Sequence, residues 1–361
     1  MLQRDVTVVL EGVANNQNGI LLGTVHHPNG NISEFLLREG LAKCVDWSMG
    51  VVNGPEKYRN AEKQAKQGKV RLWKNYVQAS STLDENNKNL VGKCVEILNG
   101  DGIVIKLNDG SFKKIFLSSV RPPRAVDFKD TLIPKVAGDK KGNPLYEVPY
   151  LFEAREFLRK KLIGKKVSCT VDYIQPKSED YPEKVCGTVM LADTNIGEAI
   201  VSQGLARVIH YKQDDDQRSS KYDDLLAAES RAKKKMCGVH STKEVASMKV
   251  ADVSSDPNKA KQFLPFLQRS GRVDALVEFV SSGSRFRLYI AKESCLITLL
   301  LGGIDCPRLG RPAMGGSAAQ ASEEYADEAY MFSKSHCLHH EVKIEIESID
   351  KGKPSIKNSF L

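Results

Sequence analysis

Two stretches of this chain, residues 93–124 (KCVEILNGDGIVIKLNDGSFKKIFLSSVRPPR) and 276–308 (LVEFVSSGSRFRLYIAKESCLITLLLGGIDCPR), open alike, with three short alternating strands that close on Pro-Arg. A second pair matches as well: residues 34–43 (EFLLREGLAK) and 198–207 (EAIVSQGLAR), each followed by a helix carrying Ala-Glu-x-x-Ala-Lys, at 61–66 and 228–233. Internal repeats at this spacing mean that one folding unit is reused. The opening and the ending lie roughly 100 residues apart, so a complete module spans 90–241, an ordinary size for one core. Residues 1–77 then hold the back half of a preceding module and 259–350 the front half of a following one. Residues 78–89 and 242–258 read as linkers, and 351–361 as an atypical tail.

Within the complete module, Asn99-Gly100 and Asn108-Asp109-Gly110 separate β-branched runs and mark hairpin turns. Leu151, Ala154, Phe157, Leu158 and Leu162 then recur at helical spacing. Two more strand-like runs, 167–174 and 186–191, restore a sheet before two further helices. Five strands that close a small barrel, with helices packed on it, give an α+β class and the element order of an OB-type fold.

The chain has 41% hydrophobic residues, a formal charge of +8 and eight cysteines scattered singly. Unpaired cysteine spacing fits reduced thiols in a cytosolic or nuclear compartment. The longest apolar run, 295–304, is half of what a membrane span takes, so no membrane partner is expected. A basic balance favours acidic partners, nucleic acid first among them.

Gly100-Asp101 in the first turn, the Pro-Arg close, the Gly-Leu-Ala helix end and Trp73 after the last helix resemble staphylococcal nuclease. The tandem order is similar to the Tudor staphylococcal nuclease family, through residues 45–48 (VDWS), 117–124 (LSSVRPPR), 152–161 (FEAREFLRKK), 214–220 (DDDQRSS) and 261–269 (KQFLPFLQR). The match is to its second, third and fourth repeats, with the second and fourth cut short. The resemblance implies RNA, double-stranded or structured, as partner, together with silencing-complex and transcription proteins. It implies residence in cytoplasm and nucleus.

It also supplies a test of catalysis. The nuclease holds Ca²⁺ with two aspartates, handles the attacking water with a glutamate and neutralises the phosphate with two arginines; a hard cation needs such oxygen ligands. Carried onto the complete module, Asp101 stands at the first aspartate, Arg121 at the second and Arg124 at the glutamate, while Phe116 and Cys186 take the arginine positions. In the next repeat Asp305 remains, but Ser284 and Arg308 replace the other acids; in the preceding one Leu22 lies near the second arginine. No intact catalytic set is expected, Asp101 and Asp305 being remnants, and no Ca²⁺ is expected to bind here, although the full-length family can use it.

What remains is a cationic surface: Arg121 and Arg124 around Pro122-Pro123, then Arg155, Arg159, Lys160, Lys161, Lys165 and Lys166, with Arg308 in the last repeat. Such a surface suits RNA phosphates. The competing reading pairs Arg121 and Arg124 with Asp127, Glu153 or Glu156. Three functions stay open: an RNA-binding scaffold of decayed nuclease barrels, a Ca²⁺-dependent endoribonuclease, and a pure protein-interaction scaffold. The cluster 336–340 (HCLHH) reads as a solvated helix end rather than a zinc site, Asp214-Asp215-Asp216 as a solvated loop, and Trp47, Trp73, Tyr58 and Tyr222 as core rather than base-stacking groups. The tail, with Pro354 where a strand should run, is expected to be disordered. The two half modules have unmet apolar faces; docking on each other as one hybrid barrel is one way to cover them.

Overall fold

The computed structural model describes residues 5–13, 21–76, 88–128, 144–177, 182–211, 217–242, 248–254, 257–310, 320–349 and 356–360. The N-terminal segment is a three-stranded antiparallel sheet, Thr7–Val13 (β1), Leu21–His27 (β2) and Gly30–Asn31 (β3), followed by Ile32–Arg38 (α1), Asp46–Met49 (α2) and Pro55–Gln67 (α3). The Asn31 side chain starts α1 by accepting the Ser33 N–H at 2.9 Å. Gly40 ends it with φ +63, and the N–H groups of Gly40 and Leu41 return to the carbonyls of Leu37 and Leu36. A Cβ at Gly40 would sit 2.4 Å from the Val70 carbonyl oxygen, so only glycine fits. Leu37, Cys44, Met49, Tyr58 and Ala61 form a small core, while Val8, Leu10, Val13 and Leu21 stay exposed. Those exposed residues lie on β1 and β2.

The central module contains Asn89–Leu98 (β4), Gly102–Leu107 (β5), Phe112–Leu117 (β6), Val120–Arg121 (β7), Pro144–Glu147 (α4), Leu151–Leu162 (α5), Lys166–Gln175 (β8), Lys184–Leu191 (β9), Thr194–Asn195 (β10), Ile196–Ser202 (α6), Arg207–Val208 (β11) and Tyr222–Lys234 (α7). Neighbours run β9-β6-β5-β4-β8, and a β8–β9 pairing closes the ring. The β6–β9 pairing is parallel, the other four antiparallel. Ile103, Ile105, Ile115, Leu158, Ile196 and Leu225 fill the space between barrel and helices. Here the repeat explains itself: Asn195 caps α6 as Asn31 caps α1, and Gly204 at φ +68 presses against the Cys237 carbonyl as Gly40 does against Val70.

The C-terminal unit adds Ala251–Asp252 (β12), Pro257–Arg269 (α8), Arg272–Ser282 (β13), Arg285–Ile290 (β14), Cys295–Leu301 (β15), Ala326–Cys337 (α9), Glu341–Ile349 (β16) and Ile356–Phe360 (β17). Two expectations are corrected here. Residues 356–360 of the tail, expected to be disordered, form β17, which pairs antiparallel with β16 and parallel with β15, the same two relations that β9 has in the central barrel. The second barrel is therefore closed, although its front half alone lacked a closing strand. Pro354 lies outside the described residues. The linker also begins the fold early, since β12 pairs in parallel with Cys295 and Leu296.

The hybrid barrel does not form. The N-terminal segment seats on α7, where the Arg59 guanidinium donates to Asp223 (2.8 and 3.0 Å) and Asp46 (2.6 Å), and Arg218 donates to Asp46 (3.0 Å). The C-terminal barrel seats on α5 and β4 of the same module. A register-matched strand was already available to it in β17, so no foreign half was needed.

Candidate nucleic-acid interface

The nine cations expected to line one surface separate into three groups. Arg155 and Arg159 are only 4% and 7% exposed and form the seam between the two barrels. Arg155 donates to both carboxylate oxygens of Glu278 on β13 and to Glu156, and Tyr146 donates to the same Glu278 carboxylate at 2.8 Å. Arg159 reaches Glu156, Glu341 (2.6 Å) and the His339 carbonyl (3.2 Å). Burial works against the charge on Arg155, but the Glu278 carboxylate outweighs it and holds the guanidinium protonated. Neither arginine faces solvent, so their assignment to nucleic acid is overturned. Spacing within α5 correctly put them one turn apart, yet the acids that claim them come from a different repeat.

At the barrel mouth, Arg121 donates to Asp127 at 3.0 Å, as the competing reading held. Asp127 also accepts the Arg124 backbone N–H, leaving the Arg124 side chain exposed and without an ion pair among the described residues. Asp101 lies across the turn, its carboxyl pushed up to about 6 by burial against the opposing pull of Lys184. Ser118, Thr188 and the Ser220 N–H all converge on Asp172 beside them. Among the described residues no group of three or more His, Cys, Asp or Glu side chains is placed to hold a metal. Arg308 and Asp305 are both exposed on the last module, where the Arg308 N–H is tied to Glu323 at 2.8 Å.

The third group is larger than the sequence indicated. Lys160, Lys161, Lys165 and Lys166 are exposed, and strand register extends them. Lys166 is the partner of Lys93, Lys93 of Lys106, and Lys106 of Phe112, so three lysines and an exposed phenylalanine form one row across β8, β4, β5 and β6. Adjacent strands lie about 4.8 Å apart. The Lys106 ammonium stands 5.9 Å from the Phe112 ring centroid. Lys93, Lys106, Lys165 and Lys166 make no ion pair among the described residues. Asp101 lies at the Leu98–Gly102 turn and Lys106 at the far end of β5, so row and mouth occupy opposite ends of the barrel. The turn Leu107–Ser111, closed by a 2.9 Å bond, was the signal for pairing Lys106 with Phe112.

The other candidates fall where core residues fall. Trp73, Tyr58 and Tyr222 are buried; the Trp47 side chain and Asp214-Asp215-Asp216 lie outside the described residues. His336 bonds the Phe332 carbonyl within its own helix, while His339 is buried in the seam, away from it.

The model of the staphylococcal nuclease homologue family matches residues 1–75 and 114–242. Over 99% of its length the chain is 48% identical to "Staphylococcal nuclease domain-containing protein 1" of Drosophila melanogaster, covering 39% of that protein. It is 34% identical to "Ribonuclease TUDOR 2" of Arabidopsis thaliana, with 97% of the chain and 37% of the relative aligned. The Schizosaccharomyces pombe "Staphylococcal nuclease domain-containing protein 1" is also 34% identical, over 98% of the chain and 38% of the relative. The chain thus spans about two fifths of the length of these relatives. Closed barrels, matched Gly-Leu-Ala helix ends and this similarity together mean that the chain belongs to the Tudor staphylococcal nuclease family of staphylococcal nuclease homologues.

Proposed function

We propose that this chain is an RNA-binding scaffold segment whose own nuclease sites have decayed. The observation that carries the reading is the register-paired row Lys166, Lys93 and Lys106 with Phe112 at its end. Lysines held on a rigid sheet meet phosphates without ordering long loops, and an exposed ring at the end of the row offers a face for stacking. Exposed Lys160, Lys161 and Lys165 widen the same positive field, and the net charge of +8 is of the right sign. Against cleavage stand arginine and serine side chains where an oxygen ligand set for a divalent cation is required. Relatives named ribonuclease are far longer, so cleavage by such a protein would draw on residues beyond this segment. Membership of the family supports a place in silencing and transcription assemblies of cytoplasm and nucleus.

The test is duplex RNA binding across a salt series, in Ca²⁺ and in EDTA, with cleavage followed in the same tube. Lys93→Glu with Lys106→Glu is expected to weaken binding at least several-fold and lower the salt slope by about two units. Arg124→Glu should have a smaller effect of the same sign, with binding equal in EDTA and no Ca²⁺-stimulated cleavage. Unchanged affinity and slope in the folded double variant would sink the reading, and calcium-dependent cut product lost in Asp101→Ala would restore the endoribonuclease.

A further inference from the structure

The row of Lys166, Lys93, Lys106 and Phe112 is narrow and short. On the face that these side chains share, the next positions on one side are neutral, Val91 and Ser168, and on the other side Val104 is buried. Exposed Lys114, two residues beyond Phe112 on the same strand and therefore on the same face, adds one more cation beside the ring. Three strand spacings of about 4.8 Å make the row roughly 14 Å long.

The aromatic end of the row is held in place. Asp109 accepts the Ser111 N–H at 2.8 Å and the Ser111 hydroxyl at 2.7 Å, and Gly110 takes φ +86, so the hairpin before Phe112 is fastened within itself. Phe112 nevertheless remains 49% exposed. A ring fixed on a sheet and left open loses little freedom when another ring stacks on it. We propose that the row binds a single-stranded stretch of RNA, its backbone crossing β8, β4 and β5 and one unpaired base stacked on Phe112. The proposal rests on the RNA-binding reading and names the form of RNA that this site takes.

Shape and chemistry both select for a single strand. Double-stranded RNA is held by contacts that reach across grooves to both backbones, and a module that does this covers roughly 16 base pairs. A file of cations roughly 14 Å long, with neutral or buried neighbours beside it, meets one backbone over a few nucleotides. Bases inside a duplex are stacked on each other, so only an unpaired base has a face to offer Phe112. Lysine carries a point charge on a flexible stem and follows a flexible strand without demanding one phosphate geometry. Cations along the backbone with an aromatic ring for the bases is the combination that single-strand sites use. The two components also act in different ways: the lysines set the salt dependence, and the ring sets the preference for unpaired bases.

The experiment uses the whole chain, an RNA oligonucleotide carrying 4-thiouridine, and the blunt duplex that it forms with its complement. The single strand is expected to bind roughly tenfold tighter than the duplex. Charge alone gives the opposite order, because a duplex releases more counterions per phosphate contacted. Phe112→Leu, which keeps an apolar side chain but removes the ring, is expected to erase most of that gap, and Phe112→Tyr to keep it. Light-induced crosslinks from 4-thiouridine are expected within residues 106–114. Equal or tighter binding of the duplex, a gap that survives in Phe112→Leu, or crosslinks confined to other segments overturns the single-strand site. The RNA reading still stands in those cases if Lys93→Glu with Lys106→Glu weakens binding of either RNA. Failure of the wild-type chain to bind either RNA overturns both.

Discussion

In both modules that possess the Ala-Glu-x-x-Ala-Lys helix, its glutamate is buried and accepts a backbone N–H from the segment after Gly-Leu-Ala: Glu62 from Cys44 at 2.8 Å, Glu229 from Val208 at 3.0 Å. The motif is thus a fastening between the last helix and the chain that precedes it. Burial alone would raise the Glu229 carboxyl, but hydrogen bonds from His210, Lys233 and the Val208 N–H hold it down at about 2. A carboxyl lowered on folding adds stability that is fully present above the unfolded value of 4.5 and is lost as pH falls through 2. Glu229→Gln should therefore cost up to about 3 kcal/mol at neutral pH and progressively less between pH 4.5 and 2. Amide exchange at Val208, followed across that window in both proteins, checks it; a pH-independent difference would refute the linkage. The sequence displayed the motif, while its purpose needed the partner N–H, which lies 21 residues away in the chain.

Among the elements, β17 most changes the picture. Without it β15 and β16 would present open edges, which invite pairing with other chains. Removal of residues 356–361 is expected to raise hydrogen exchange in Leu299, Leu300, Leu301 and in Glu341–Ile349, and to promote association, with the central barrel unaffected. Exchange in those strands matching that of the intact chain would show that β17 is dispensable. The alternation of β13, β14 and β15 was plain in the sequence, as were the hairpin turns. The tail was misread because a short strand with a proline ahead of it has no local pattern that reports an available parallel edge.

At the scale of the molecule, two seams join the central module to its neighbours: Arg59 and Arg218 against Asp46 and Asp223 in one, Arg155 and Arg159 against Glu278 and Glu341 in the other. Arg155→Ala strands the Glu278 carboxylate in a buried site, a change that costs about 3–5 kcal/mol. The expected result is a lowered unfolding midpoint and raised exchange along β13 and α5, with the paired-duplex salt slope unaltered. Unchanged stability accompanied by a reduced slope would return Arg155 to the nucleic-acid surface.

By itself the sequence determined the repeats, the barrel class, the hairpins and the helix ends, because each depends on residues close in the chain or on a motif copied within it. Glycine at 40 and 204 and asparagine at 31 and 195 carry that information locally. Only the tertiary structure decided which cations are free. Arg155 and Lys166 look alike in a linear reading, yet one is neutralised by an acid 123 residues away and the other stands in a row fixed by strand register. Charge is read from composition, but exposure and pairing arise from contacts between distant segments, and these set both the lysine row and the seam between the barrels.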